Sequence, residues 1–191
     1  MFTGIVETIG SVTSVAGNTV GITAEKFSRH IQIGGSVSVS GACLTITSIA
    51  CKEFTVDVVE ETQRRTNLAD LNLNDNVNLE LPVPVTGAFD GHIVQGHIDG
   101  IASVVSIIKE SNSALLKFKV SASISKYLIQ KGFIAVDGVS LTIVDCDADW
   151  FSIALIPHTS QNTTLGVLNE GDTVNIEVDL FAKYAEKLLN S

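Results

Sequence analysis

Positive charge is what this sequence has least of. Twelve Lys and Arg stand against 21 Asp and Glu in 191 residues, a formal charge of −9, and the sequence pI is near 4.7. The only adjacent basic pair is Arg64-Arg65. A general nucleic-acid binder neutralises phosphates with a basic stripe, so that class is excluded, and adhesion to an anionic membrane is disfavoured for the same reason. Long apolar runs are missing too. None approaches the ~20 residues of a transmembrane helix, and the start Met1-Phe2-Thr3-Gly4 lacks the basic stretch of a secretory signal. Cysteine is rare and odd in number: Cys43, Cys51 and Cys146 cannot all pair within one chain, so a reducing, cytoplasmic location is expected. There is no G-x-G-x-x-G, Walker loop or H-E-x-x-H, and neither cofactor nor metal is expected. With 45% hydrophobic and only 17% charged residues, the chain still has ample material for a packed core, which excludes global disorder.

Strand signals dominate what is present. Ser36-Val37-Ser38-Val39-Ser40, Leu44-Thr45-Ile46-Thr47 and Phe54-Thr55-Val56-Asp57-Val58 alternate with period two and are rich in β-branched residues. Helical patterns are few. Segments 24–31 and 121–130 read as short helices, and Phe181, Tyr184, Ala185, Leu188 and Leu189 form the single apolar stripe of a terminal one. An internal repeat organises the rest. An offset of 97 lays Gly41-Ala42-Cys43-Leu44-Thr45-Ile46 on Gly138-Val139-Ser140-Leu141-Thr142-Ile143, and Val77-Asn78-Leu79-Glu80 on Val174-Asn175-Ile176-Glu177. Over residues 35–80, sixteen of the forty-six pairs are identical without a gap, too many for chance. Nearer the start the offset falls to about 90, which sets Phe2 roughly opposite His92. Two copies of about 90 residues are too long for a solenoid unit and suit small closed barrels, which also hide strand edges. The expected fold is all-β, with two similar six-stranded antiparallel barrels at 1–88 and 89–179 and a helix at 180–191. The boundary falls in 81–90, where Pro82 and Pro84 suit a linker.

Several residues could carry chemistry. His92 and His97 lie in Gly91-His92-Ile93-Val94-Gln95-Gly96-His97; on a strand they would point to opposite faces, and no neighbouring pattern completes a zinc set. Either they are barrel-mouth histidines satisfied by backbone groups, or one is a general acid/base. The repeated box puts Cys43 beside Thr45 and Ser140 beside Thr142 on one strand face, with Leu44 and Leu141 pointing the other way. Each copy thus offers a small nucleophilic or hydrogen-bonding group next to a Thr hydroxyl, although a free cysteine is as often a small buried hydrophobe. Asp137 precedes the second box where the first has Ser40. Thr62 and Thr66 recur as Thr159 and Thr163, positions where strand-end hydrogen bonding is the ordinary role.

Taken together, Met1-Phe2-Thr3-Gly4-Ile5-Val6-Glu7, Cys43-Leu44-Thr45, Glu61-Thr62-x-Arg64-x-Thr66-Asn67-Leu68, the run from His92 to Gly100, Asp137-Gly138-Val139-Ser140-Leu141-Thr142 and Ile156-Pro157-His158-Thr159 closely resemble the riboflavin synthase alpha-chain family, over residues 1 to about 189. The resemblance implies two Greek-key lumazine-binding barrels, a C-terminal helix that builds a homotrimer, and a transferase that needs no metal or cofactor. The implied reaction converts two molecules of 6,7-dimethyl-8-ribityllumazine into riboflavin and a ribitylamino-pyrimidinedione by moving a four-carbon unit. It also implies roles: His97 for proton transfer, Cys43 and Ser140 for addition at the ring carbon, Asp137 for orienting Ser140, and Lys131 for a polyol or carbonyl contact.

The remaining substrate contacts implied by the family fall in clusters. One is Phe2, Gly4, Ile5 and Val6; a second is Ser36, Leu44, Thr45, Asp57, Glu61 and Thr62 around Cys43. A third is His92, Gln95 and Gly96 beside His97, and the last is Leu141, Thr142, Ile156, Pro157, His158 and Thr159. Two features depart from the pattern: Ser40 stands where the family commonly has Asn, and the 81–90 linker lacks the usual charges. Non-catalytic lumazine or flavin carriers of antenna type share these barrels and form the alternative reading, but such a carrier can lose the second box, and both boxes are intact here.

Overall fold

The computed structural model describes residues 1–24, 27 and 31–190; apart from Ala24, Phe27 and Ile31, the helix expected at 24–31 lies outside the described residues. Twelve strands form two closed barrels. The first uses β1 (Thr8–Ala16), β2 (Thr19–Thr23), β3 (Ser36–Val39), β4 (Ala42–Ala50), β5 (Glu53–Asp57) and β6 (Asn76–Glu80), with helix α1 (Glu60–Arg65) between β5 and β6. The second uses β7 (Gly100–Lys109), β8 (Ala114–Lys119), β9 (Phe133–Val136), β10 (Val139–Cys146), β11 (Trp150–Leu155) and β12 (Thr173–Val178), with α2 (Ala122–Ser125) after β8 and α3 (Pro157–Asn162) after β11. Helix α4 (Leu180–Leu189) ends the chain. Both barrels close in the Greek-key order β1-β2-β5-β4-β3-β6 and its equivalent. Bulges recur at matching places: Val12/Ser14 and Val104/Ser106, then Ile46/Ser48 and Ile143/Asp145. Each bends its strand tightly enough for a six-stranded sheet to close.

Every second residue of each strand fills its own barrel. Val12, Ile22, Phe54 and Leu79 belong to one core, and Val104, Phe118, Phe151 and Ile176 to the other. Burying a side chain of this size contributes roughly 1.5–3 kcal/mol, so the alternating pattern holds each barrel together. Among the described residues no helix is long and apolar enough to cross a membrane.

Two expectations need correction. Thr8 pairs with Leu79 and Gly100 with Ile176, so the early offset is 92 and Phe2 corresponds to Val94, not His92. The second copy carries the extra residues, four of them in the longer β7–β8 hairpin, where Val104 pairs with Phe118 against Val12 with Ile22. Segment 121–130 is helical only over Ala122–Ser125, after which Tyr127 N and Leu128 N bond the carbonyls of Ile124 and Ser125 in i→i−3 turns and Lys131, at φ 67°, leads the chain into β9. The terminal helix is where the stripe put it, capped by Asp179 accepting from Phe181 N at 3.0 Å. Its stripe is not buried, with exposures from 59% at Tyr184 to 84% at Leu189. Polar contacts tether it instead: Lys126 and Tyr127 to Glu186, and Lys183 to Asp99.

The copies exchange their leading segments across a pseudo-twofold junction. Phe2 and Val94 pair with each other, N–H to O at 2.7 and 3.1 Å. Val6 packs on the second core and Ile98, its equivalent, on the first. Asn78 Nδ2 donates to Asp137 O at 3.0 Å while Asn175 Nδ2 donates to Ser40 O at 2.9 Å. Their Oδ1 atoms accept from Thr164 N and Asn67 N, both at 2.8 Å. All four atoms are thereby satisfied inside the junction, as buried amides require.

Candidate functional sites

Each box is completed by the other copy's leading segment. Cys43 N donates to Gly96 O at 2.9 Å and Ser140 N to Gly4 O at 2.7 Å. Gly4 and Gly96 sit at φ +76° and +79°, and a Cβ on either would lie 2.6 Å from Ser140 Cβ or 2.5 Å from Cys43 Cβ. Only glycine allows that approach. Below each glycine a buried carboxylate gathers the segment's N–H groups. Glu80 accepts from Thr3 N (2.6 Å), Thr3 Oγ1 (2.9 Å) and Gly4 N (3.0 Å); Glu177 accepts from Gln95 N (2.7 Å), Gly96 N (2.8 Å) and His97 N (3.0 Å). Burial pushes both carboxyls above their ordinary range in spite of those donors.

The first site is a cavity of about 420 Å³ walled by Cys43, Thr62, Thr66, Gly96, His97 and Asp99, with Glu61, Arg65 and Lys183 at its charged side. Thr62 is positioned by the α1 turn, where Thr66 Oγ1 donates to Thr62 O at 2.7 Å. Glu61 accepts from Arg64 at 2.7 Å and Arg65 at 3.0 Å, and those guanidinium groups hold its carboxyl below the usual range. His97 is exposed and Cys43 half-buried, so a ligand in the cavity can reach both.

The second site gathers around Ser140. Its Oγ lies 2.7 Å from His92 Nδ1, and the His92 ring stacks on Phe133 at 5.1 Å and 10°. Burial lowers the His92 pKa, opposed by the charge of Asp179, which favours a neutral ring, and its Nε2–H tautomer is the one that can take the Ser140 proton. That pairing is the geometry of an activated hydroxyl. Ile5 is exposed beside it, while Thr142, Ile156, Pro157 and His158 lie on the second barrel's outer surface with Thr159 half-buried among them.

Other expected residues fall elsewhere. The Ser140 hydroxyl meets His92, whereas Asp137 Oδ1 accepts from Asn175 N at 2.7 Å. Asp137 is therefore tied to the β9–β10 turn and β12, not to Ser140. Phe2 is fully buried between the barrels and Leu44 within the first core, so neither presents a side chain to the cavity; Leu141 packs partly on the second core. Ser36 and Thr45 are paired and exposed on the outer face. The Asp57 carboxylate accepts from Thr19 Oγ1 at 2.8 Å, and Lys131 is exposed at its turn, off the wall of the first cavity. Sequence reasoning missed Arg65, Asp99, Phe133 and Lys183. Only the first three lie near a repeated box or the histidine run; nothing local marks Lys183.

Comparison with known proteins agrees with this geometry. The lumazine binding domain model matches residues 3–82 and 95–179, starts that are themselves 92 apart. The riboflavin synthase of Actinobacillus pleuropneumoniae is 42% identical over 193 residues, covering 99% of this chain and 90% of that protein. The chain belongs to the riboflavin synthase family. Another member, from Bacillus subtilis (strain 168), is 41% identical across 100% of this chain and 90% of its own length. Among solved structures, LumP complexed with riboflavin has a TM-score of 0.87 at 27% identity, covering 94% of this chain and 100% of that one; LumP with 6,7-dimethyl-8-(1'-D-ribityl) lumazine scores 0.84 at the same identity, covering 94% and 99%.

Proposed function

We propose that the Cys43–His97 cavity and the Ser140–His92 cluster each hold one molecule of 6,7-dimethyl-8-ribityllumazine, one as donor and one as acceptor of the four-carbon unit in the riboflavin synthase reaction. The observation that carries this is the pair of repeat-related sites, each built from one copy's box and the other copy's glycine segment, with different side chains at equivalent places. A reaction that consumes two copies of one planar molecule needs two similar sites, and needs them unequal. The products, riboflavin and 5-amino-6-ribitylamino-pyrimidinedione, together contain every atom of the two substrates, so the step balances without oxidant or reductant. Holding two heteroaromatic rings in register supplies much of the acceleration by proximity. The acidic 7-methyl group of one lumazine gives up a proton to His97, and the resulting carbanion is delocalised over the ring and stabilised by polar groups aimed at it. Cys43 and Ser140 assist addition at the ring carbon, with His92 accepting from Ser140, and Lys131 contacts the polyol or a ring carbonyl.

The exposed stripe of α4 supports a homotrimer in which facing sites come from neighbouring chains, since a ten-residue helix is marginal unless its apolar face is covered. The three free cysteines suit the cytoplasm. Incubating the full chain with the lumazine and following riboflavin fluorescence tests the reading: two lumazines should disappear for each riboflavin formed. Tight binding without turnover would make the protein a carrier of antenna type.

A further inference from the structure

Among the described residues, the second copy makes one contact that the first does not repeat. In both, the glycine segment is tied to the last barrel strand in the same way. Glu7 N donates to Leu79 O at 2.9 Å and Asp99 N to Ile176 O at 2.8 Å; the Glu7 carboxylate accepts from Leu81 N and the Asp99 carboxylate from Val178 N, both at 2.9 Å. Beyond that point the copies diverge. The first runs into the 81–90 linker, while the second turns at Asp179 into α4, where Lys183 Nζ lies 2.7 Å from Asp99 Oδ1. Both partners are half-buried, at 28% and 24% side-chain exposure, and both wall the cavity that holds Cys43, His97, Glu61 and Arg65. Asp99 thus stands two residues from His97 on one side and in contact with α4 on the other.

We propose that Lys183 is a positioning residue of the Cys43–His97 site: through Asp99 it holds the segment carrying His97, and it makes this site depend on the terminal helix. The kinetic part of this inference rests on the function proposed above. Without Lys183 the half-buried Asp99 carboxylate loses the cation it pairs with, in a cavity that Glu61 also lines, and its relief is to turn toward water and release Val178 N–H. A displacement of about 1 Å at a reacting group costs up to ~10²-fold in rate. Direct contact of the ammonium with the ligand is the competing role, and Asp99 separates the two, because only positioning requires it.

The test uses the full chain with Lys183→Met, Lys183→Arg and Asp99→Asn, which keeps a carbonyl for Val178 N–H. Lumazine turnover is measured across pH, assembly by sedimentation, and the His92 and His97 ring signals by NMR without ligand. Lys183→Met and Asp99→Asn should each lower kcat by about 10- to 100-fold, with KM little changed, an altered pH profile and unchanged sedimentation. Both should move the His97 ring signals and leave those of His92 in place, and Lys183→Arg should restore activity. Normal kcat with unmoved His97 signals in Lys183→Met overturns the proposal. So does a loss confined to Lys183→Met with Asp99→Asn normal, or a loss that tracks dissociation while the His97 signals stay fixed. If the unsubstituted protein makes no riboflavin, the proposed function fails on its own, and the His97 signals still decide the positioning role.

Discussion

Replacing Asp137 by Asn should stabilise the protein near and above neutral pH and remove part of its pH dependence. Asp137 is 5% exposed, sits at φ 44° in the β9–β10 turn, and accepts Asn175 N–H at 2.7 Å. Among the described residues, the cavity beside it is lined by Asp75 and Asp172 but by no Lys or Arg. Burial pushes its carboxyl from 3.8 up to about 7, only partly opposed by the Asn175 N–H. In the unfolded chain the group ionises near its ordinary value, while the folded protein keeps the proton until about pH 7. Between those values the unfolded state binds fewer protons, so each pH unit removes about 1.4 kcal/mol of stability, and the window of about three units caps the loss at about 4 kcal/mol. Asn keeps an acceptor for Asn175, tolerates positive φ and has no proton to lose; Asp137→Ser, which copies Ser40 at φ 42°, should behave alike. Urea unfolding from about pH 4 to about pH 8 is the assay. Both variants should match the parent at the acid end, gain on it up to pH 7 and hold a constant lead above. A gap that does not vary with pH refutes the buried-carboxylate argument. Turnover supplies a second readout: because His92 is the partner of Ser140, it should stay within a few-fold, and a fall of ~10² would return Asp137 to the role of orienting that hydroxyl.

His97→Ala should lower turnover by ~10²-fold or more with lumazine binding little changed, measured by stopped-flow and by fluorescence titration; near-normal turnover removes His97 from proton transfer. Glu177→Ala leaves three N–H groups without their acceptor and should cost about 3–6 kcal/mol in urea unfolding, a large part of a typical total; an unchanged midpoint would show those groups to be solvated. Deleting residues 181–191 should give monomers by sedimentation and a steep loss of turnover with single-lumazine binding retained, and a fully active monomer would remove the inter-subunit mechanism. A fragment of residues 1–90 loses Gly96 O as the acceptor for Cys43 N, so it should fold but pair with a second copy, whose Gly4 takes that place; a stable monomer by light scattering argues against the junction's symmetry.

The repeat was legible because the boxes, the turn residues and Val77 to Glu80 are used twice for the same work. Gly41 and Gly138 meet at the junction, Asn78 and Asn175 satisfy one another's turns, and Glu80 and Glu177 anchor equivalent segments. Both barrels and the terminal helix followed from period-two and 3.6-residue patterns. The early register is hidden because Phe2 and Val94 share burial and apolar character but not size or a ring, and the nearest aromatic ring is His92. The crossing of segments could not be read, since its bonds join residues such as Gly4 and Ser140 through backbone atoms that carry no sequence signal. Asp137 looked catalytic beside Ser140 for the same reason: adjacency in the box conceals that its carboxylate turns toward β12.

On the function proposed above, the same geometry lets a symmetric fold run an asymmetric reaction. What the copies share is fixed by backbone hydrogen bonds, buried Glu and Asn side chains, and bulges at matching positions. What distinguishes them projects from that frame: Cys43 against Ser140, Ile5 against His97, Ser36 against Phe133. Because each leading segment is held by its N–H and C=O groups, its side chains can differ without disturbing either barrel. His97, carried on such a segment, and Phe133, exposed on β9, make the two sites chemically unequal at little cost to folding. Two lumazines bound to equal sites would have no preference for which gives up its proton. On the function proposed above, one exposed imidazole in the cavity of Cys43 and one buried, stacked imidazole against Ser140 supply that preference.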